Sequence, residues 1–357
     1  MTGHDDRVLS VASDTQGRLC TSSLDKSVRL WSPQLSTKTA DTGHNGSVTF
    51  VECIDNGSGL ITGSRDGVVK FWNVTSDGFV CERSVQISKK SVNAVCYNKT
   101  RHGGDLVTAA DDKLVMWSVK KDGMKIKRVE NVMVLEEGQS PLTCLLKVAG
   151  TTTTPFFFIA AGWNGKVKLY KDICQLQSKC VVNPVDWILS LYQCNKDPNC
   201  IYATTANGMV IIMIVNLEKN GKIRTMSTIT VPNTVDVDVV LHKQQPVWVN
   251  CMADDKTLQI FGDSKGQITN RKTTTVRVHG DAITCVKITD DVVFTASLDR
   301  TVKVWDRDMK QVGLFFCQAP VTSMNIVQIV RNPFPVISLA CGDQLGNIHF
   351  LTWRGGI

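Results

Sequence analysis

The stretch Phe294–Asp306, FTASLDRTVKVWD, constrains the fold more than any other part of the chain. It reads as a β-hairpin. Phe294–Ser297 is a short apolar and hydroxyl-bearing strand, Leu298–Arg300 is a tight turn around Asp299, and Thr301–Trp305 alternates with Val302 and Val304 on one face. The same pattern stands at Cys20–Trp31 (CTSSLDKSVRLW) and at Ile61–Trp72 (ITGSRDGVVKFW), with Trp31 and Trp72 separated by 41 positions. A lone hairpin cannot bury its own apolar faces, so a chain that repeats one must stack the copies against each other.

The repeat has a second half. His4, His44 and His279 precede the three hairpins in GHDDRVLSV, GHNGSVTFV and VHGDAITCV, each followed by an alternating strand. The unit runs His, strand, turn, strand, Asp turn, strand, Trp, and resembles the tryptophan–aspartate (WD) repeat, the blade of a β-propeller. The implied fold class is all-β, a WD-repeat propeller of antiparallel strands. Eight units share the chain at about 45 residues each, with approximate blades 1–37, 38–86, 87–137, 138–182, 183–230, 231–275, 276–317 and 318–357. Seven blades plus a stray hairpin is the alternative.

The degenerate units follow the same grammar. In unit three a lysine pair, Lys89-Lys90, stands where Gly-His is expected, and the unit ends at Trp117. Unit four turns at Asn164-Gly165, which suits a two-residue hairpin, and ends at Tyr170. Unit five turns at Asn207-Gly208, unit six at Asp255, and unit eight places Leu351 in the aromatic slot.

Composition excludes several classes. The 357 residues are 43% hydrophobic and 20% charged, which is globular rather than disordered. No apolar run is long enough for a membrane span, and the N-terminus shows no secretory leader. Thirteen scattered cysteines read as buried thiols of a reducing compartment, so a cytoplasmic setting is expected and the Asn-x-Ser/Thr triplets at Asn45, Asn56, Asn73 and Asn98 read as chance. The net charge of +7 permits an acidic partner without demanding nucleic acid.

In the WD family the histidine, a strand hydroxyl, the turn aspartate and the tryptophan form a buried hydrogen-bonded chain. The matching positions are His4, Asp25, Trp31; His44, Asp66, Trp72; and His279, Asp299, Trp305. The hydroxyl is Thr21 or Ser23, Thr62 or Ser64, Thr295 or Ser297, since alternation puts both candidates on one face. The set resembles a Ser–His–Asp triad only superficially: it recurs three times and follows no nucleophile elbow. His-Glu-x-x-His and Cys-x-x-Cys are absent, Gly162–Lys166 is too short for a phosphate loop, and Cys174, Cys180, Cys194 and Cys200 lack a zinc-ligand rhythm. No catalytic residue, metal or cofactor is expected.

Function is therefore sought on a surface. One face is built from the residues opening each first strand (Arg7, Ser47, Ser91, Pro141, Trp187, Thr234, Ala282, Pro320) and those preceding each turn (Leu24, Arg65, Trp163, Ala206, Asp254, Leu298). Trp163 and Trp187 fall outside the core slots and form the expected anchor of a protein-binding face, with Arg7 and Arg65 as its basic side. Packing against a long loop is the competing reading. The closing unit, VGLFFCQAPVTSM to ACGDQLGNIHFLTW, resembles the last blade of the C-terminal propellers of NACHT and NB-ARC signalling NTPases. That resemblance implies a sensor or autoinhibitory scaffold in apoptotic or innate-immune signalling, with the NTPase elsewhere in the same parent chain. Neither end offers a spare outer strand, so either the chain is cut from a larger one or the last blade has three strands. A protein partner is expected. An RNA- or ribonucleoprotein-binding propeller requires a continuous basic stripe with stacking aromatics, and a propeller enzyme requires perturbed carboxylates or histidines around the central channel.

Overall fold

The computed structural model describes residues 3–13, 18–31, 37–41, 43–54, 57–75, 78–100, 103–111, 113–122, 125–137, 140–148, 157–171, 175–181, 186–193, 199–207, 209–216, 222–230, 234–242, 245–252, 257–261, 272–289, 291–306, 308–330 and 336–355. The backbone alone is described at 37–41, 136–137, 175–181, 210, 226–230, 234–242, 245–252, 257–261, 272–276 and 328–330. These residues form 31 strands in eight antiparallel sheets. Seven sheets have four strands; the last has three, Val321–Val330, Val336–Asp343 and Ile348–Arg354.

Each sheet pairs its strands in chain order, and the sheets stand side by side in a ring. The first strands, such as Val8–Ser13, Val48–Ile54, Val92–Thr100 and Val321–Val330, pack on those of neighbouring blades, and Val321–Val330 returns to Val8–Ser13 to close the circle. Second strands are buried on both faces, which is why Leu19–Ser23, Phe157–Gly162 and Val293–Ser297 read as unbroken apolar and hydroxyl runs. Fourth strands are the most exposed; Gln311–Phe316 lies open along much of its length.

The cores lie between blades. Cys20, Val28 and Leu30 of blade one meet Val48, Leu60 and Trp72 of blade two. Leu19 and Trp31 of blade one meet Ala340 of blade eight, with Trp31 edge-on to Phe350 at 6.3 Å. A second seam is polar. Just after the opening of a first strand, Thr49, Asn93, Thr143, Thr284 and Thr322 donate to the carbonyls of Val92, Leu142, Ile188, Val321 and Val8 on the next blade round, at 2.7, 2.9, 2.6, 2.8 and 3.3 Å. The His4 amide also donates to the Gly346 carbonyl at 2.7 Å, tying the last hairpin turn to the first loop.

Five of the hairpin turns share one geometry. Gly67, Gly165 and Gly346, and also Lys26 and Arg300, have positive φ and donate to the residue three earlier. This is a three-residue loop, a type I turn closed by a left-handed residue. Unit four therefore departs from the two-residue expectation: only Gly165 has positive φ, while Asn164 accepts from the Lys166 amide at 3.1 Å.

Candidate protein-docking face

Beneath the face lie three equivalent polar chains. In blade one the Trp31 indole N–H donates to Thr21 Oγ1 at 2.9 Å, the Thr21 hydroxyl donates to His4 Nε2 at 2.8 Å, and His4 Nδ1–H donates to Asp25 Oδ2 at 2.9 Å. Blade two repeats this with Trp72, Thr62, His44 and Asp66 at 2.9, 3.1 and 3.1 Å. Blade seven uses Trp305, Thr295, His279 and Asp299 at 2.9, 2.7 and 2.9 Å. Indole can only donate and a carboxylate can only accept, and this order of donors, with the histidine proton on Nδ1, satisfies every group in the chain.

The threonines are thus the hydroxyls of the chain. The serines do a different job: Ser23, Ser64 and Ser297 donate to the carbonyls of Asp6, Gly46 and Asp281 and accept from the amides of Asp25, Asp66 and Asp299. Each aspartate also accepts backbone amides at both ends of its loop, such as Asp5 N and Ser27 N for Asp25. Burial pushes these carboxyls up, but the bonds to histidine, hydroxyl and backbone outweigh it. Asp25 and Asp66 end below the usual range, and Asp299 at about 2. Burial holds His44 and His279 below the usual 6.5 despite their aspartates.

Two of the remaining blades carry altered versions of the pattern. Blade three keeps the Trp117 donation to Thr108 at 3.0 Å, but its histidine slot, three residues before the opening Ser91, holds buried Ser88. Lys89-Lys90 consequently falls two positions later than expected, at the exposed positions matching Asp5-Asp6. In blade eight a different pair appears, which the sequence motif did not announce: buried Asp343 accepts from His349 Nε2 at 2.8 Å and from Asn347.

The face is drawn by a ring of backbone bonds. The amides of Leu24, Arg65, Asp111, Trp163, Ala206, Leu298 and Gln344 donate to the carbonyls of Arg7, Ser47, Ser91, Pro141, Trp187, Ala282 and Pro320. Asp254 and Asp255 lie outside the described residues, as does the side chain of Thr234. Arg7 and Arg65 are exposed, while Ser47, Ser91 and Pro141 are half-buried.

Trp163 and Trp187 meet on this ring. Trp163 projects from the turn of blade four and Trp187 opens the first strand of blade five. Their rings stack at 4.4 Å between centroids and 10° between planes while staying 42% and 47% exposed. Two residues on, Leu189 is 43% exposed, in the position where five other blades place the hydroxyl or amide that bridges to the next blade.

One carboxyl on an inner strand is perturbed. Burial raises Glu52 to about 7, partly opposed by the charge of Lys147. Burial, with the charge of Glu52 adding to it, in turn raises the Cys96 thiol, and among the described residues no three His, Cys, Asp or Glu side chains could hold a metal ion. Cys174 and Cys194 lie outside the described residues, as does the side chain of Cys180; Cys200 is buried, its thiol donating to the Tyr202 hydroxyl at 3.1 Å.

Comparison with known proteins agrees with this geometry. Residues 1–32 and 36–73 match the family described as WD domain, G-beta repeat, and residues 279–353 match TEP-1 C-terminal beta-propeller. The fold is that of a WD-repeat β-propeller. Rat (Rattus norvegicus) Telomerase protein component 1 is 22% identical over 397 residues, covering 99% of this chain; the chain spans only 15% of that relative's length. Saccharomyces cerevisiae Sqt1 superposes with a TM-score of 0.80 at 13% identity, covering 99% of this chain and 97% of its own. Chaetomium thermophilum Sqt1 bound to the N-terminus of the ribosomal protein L10 gives 0.72 at 13% identity, with 99% and 98% covered.

Proposed function

We propose that this propeller is a non-catalytic protein-docking platform whose anchor is the Trp163–Trp187 stack, and that it serves as the sensing or autoinhibitory scaffold of a longer cytoplasmic signalling protein that carries an NTPase module. The carrying observation is the stack itself. Two indoles on adjacent blades, stacked at 4.4 Å yet more than two-fifths exposed, keep a large rigid apolar area in water. Tryptophans in such positions dominate interface energies. Their backbones are pinned by the bonds to Pro141 and Ala206, so docking needs little ordering. That a neighbour of the same fold is bound to the N-terminus of a ribosomal protein supports the reading.

The test compares the intact chain with Trp163→Ala/Trp187→Ala. Proteins enriched on the wild type are identified, purified and titrated by calorimetry. The reading expects at least about a thirtyfold affinity loss in the double variant at unchanged thermal stability. A partner held equally by both forms removes the stack from the interface.

A further inference from the structure

Charge on this face is unevenly distributed. On blade one the exposed residues Asp5, Asp6, Arg7 and Lys26 cancel. On blade seven Asp281 and Arg300 cancel. Among the described residues of blades two and three the exposed charges at these positions are Arg65, Lys89 and Lys90, all positive; Asp112, in the blade-three turn, lies outside the described residues. The nearby acids are engaged: Asp66 with His44 and the Asn45 and Val68 amides, Asp111 with the Asn93 side-chain amide at 2.7 Å. Among the described residues, blades four and five, next round the ring, present Trp163, Trp187 and Leu189 and no exposed charge at the matching positions, Asp186 being buried.

We infer that the face reads an extended acidic segment of a partner protein, with carboxylates on the Arg65–Lys89–Lys90 sector of blades two and three and an aromatic or large aliphatic side chain on the Trp163–Trp187–Leu189 surface of blades four and five. The inference rests on the docking reading above and gives it a partner chemistry and a direction. Charge complementarity selects the occupant. An extended chain at about 3.3 Å per residue crosses neighbouring blades in a handful of residues. Tracking a nucleic-acid backbone instead calls for cations beside the stacking rings. Here the cations and the rings occupy different blades.

The probes are two fluorescein-labelled peptides sharing a Trp-Leu end, one with a run of glutamates and the other with lysines, and a single-stranded RNA of similar length. The glutamate peptide is expected to bind at least about tenfold more tightly than the lysine peptide at low salt. Arg65→Glu/Lys89→Glu/Lys90→Glu should abolish that preference, whereas Trp163→Ala/Trp187→Ala should weaken both peptides alike. Circular dichroism and melting confirm that each variant is folded. Equal binding of both peptides, still sensitive to the tryptophans, overturns the acidic-segment inference and leaves the docking reading standing. Binding insensitive to the tryptophans removes both. Tighter binding of RNA than of the glutamate peptide, or no binding of either peptide, also overturns the inference.

Discussion

The Thr322 hydroxyl in blade eight donates to the Val8 carbonyl in blade one, 3.3 Å away across 314 positions of sequence. The same hydroxyl lies 3.2 Å from the Gly342 carbonyl within its own sheet. Thr322→Val keeps the shape and removes the donor at the seam where the ring closes. Each such bond is worth about 1 kcal/mol, so urea unfolding should show a loss of about that size, with Thr322→Ser close to wild type. A valine variant as stable as the parent would mean that apolar packing alone closes the ring.

Glu52 introduces an unusual pH dependence. Its folded-state pKa, about 7, lies above the usual 4.5, because burial on an inner strand disfavours the charge. A raised pKa contributes stability that is fully present below 4.5 and lost as pH rises through 7. Glu52→Gln removes that loss. The variant should melt higher than wild type at pH 8 and nearly the same at pH 4.5, and a gap that does not change with pH would contradict it.

The buried histidines act in the opposite direction. His44 and His279 sit below the usual 6.5, so their contribution is present above 6.5 and is lost as pH falls below it, when the unfolded chain takes up protons first. Asp25, Asp66 and Asp299, also depressed, add a second loss below the usual 3.8. In the Glu52→Gln background, melting temperature should therefore fall in two stages on acidification. His279→Gln should flatten part of the first stage, and an unaltered profile would show that blade seven's chain does not titrate.

Much of this was legible because the repeat carries its own punctuation. The turn aspartate, or the asparagine of blades four and five, and the strand tryptophan mark hairpins even where the histidine is gone, so the radial array of sheets follows from spacing. The choice of Thr21 over Ser23 was not legible: residues two apart share a face, and only the distance to His4 separates them. Lys89-Lys90 was misplaced because blade three has no histidine to count from and its Thr108 stands nine rather than ten positions before the tryptophan. The seam of Thr49, Thr143, Thr284 and Thr322 did leave a signal, a hydroxyl directly after the opening apolar residue. The motif draws the eye past it to the histidine and tryptophan. That Trp163 and Trp187 touch depends on how two blades pack, which no single repeat encodes.

The hairpin turns provide the sharpest contrast between two residues in one backbone role. Gly67 and Arg300 both close a turn with positive φ, 78° and 68°. A non-glycine residue in that conformation costs about 1–2 kcal/mol. Glycine costs about 0.5–1 kcal/mol through the freedom of the unfolded chain. Arg300 is exposed and its carbonyl still receives the Cys317 amide whatever the side chain, so Arg300→Gly should raise stability by about 0.5 kcal/mol. Gly67→Ala meets a further obstacle, because a Cβ there would stand 2.0 Å from the Ser88 carbonyl oxygen, and that segment, just after the strand Gly78–Gln86, is fixed by the amides of Ile87 and Ser88 bonding back to Gly67. Backbone must move, so the loss should exceed about 2 kcal/mol. Denaturant midpoints of the two variants should therefore shift in opposite directions. An Arg300→Gly variant that is destabilised would show that the arginine side chain, rather than the turn's backbone, holds that corner.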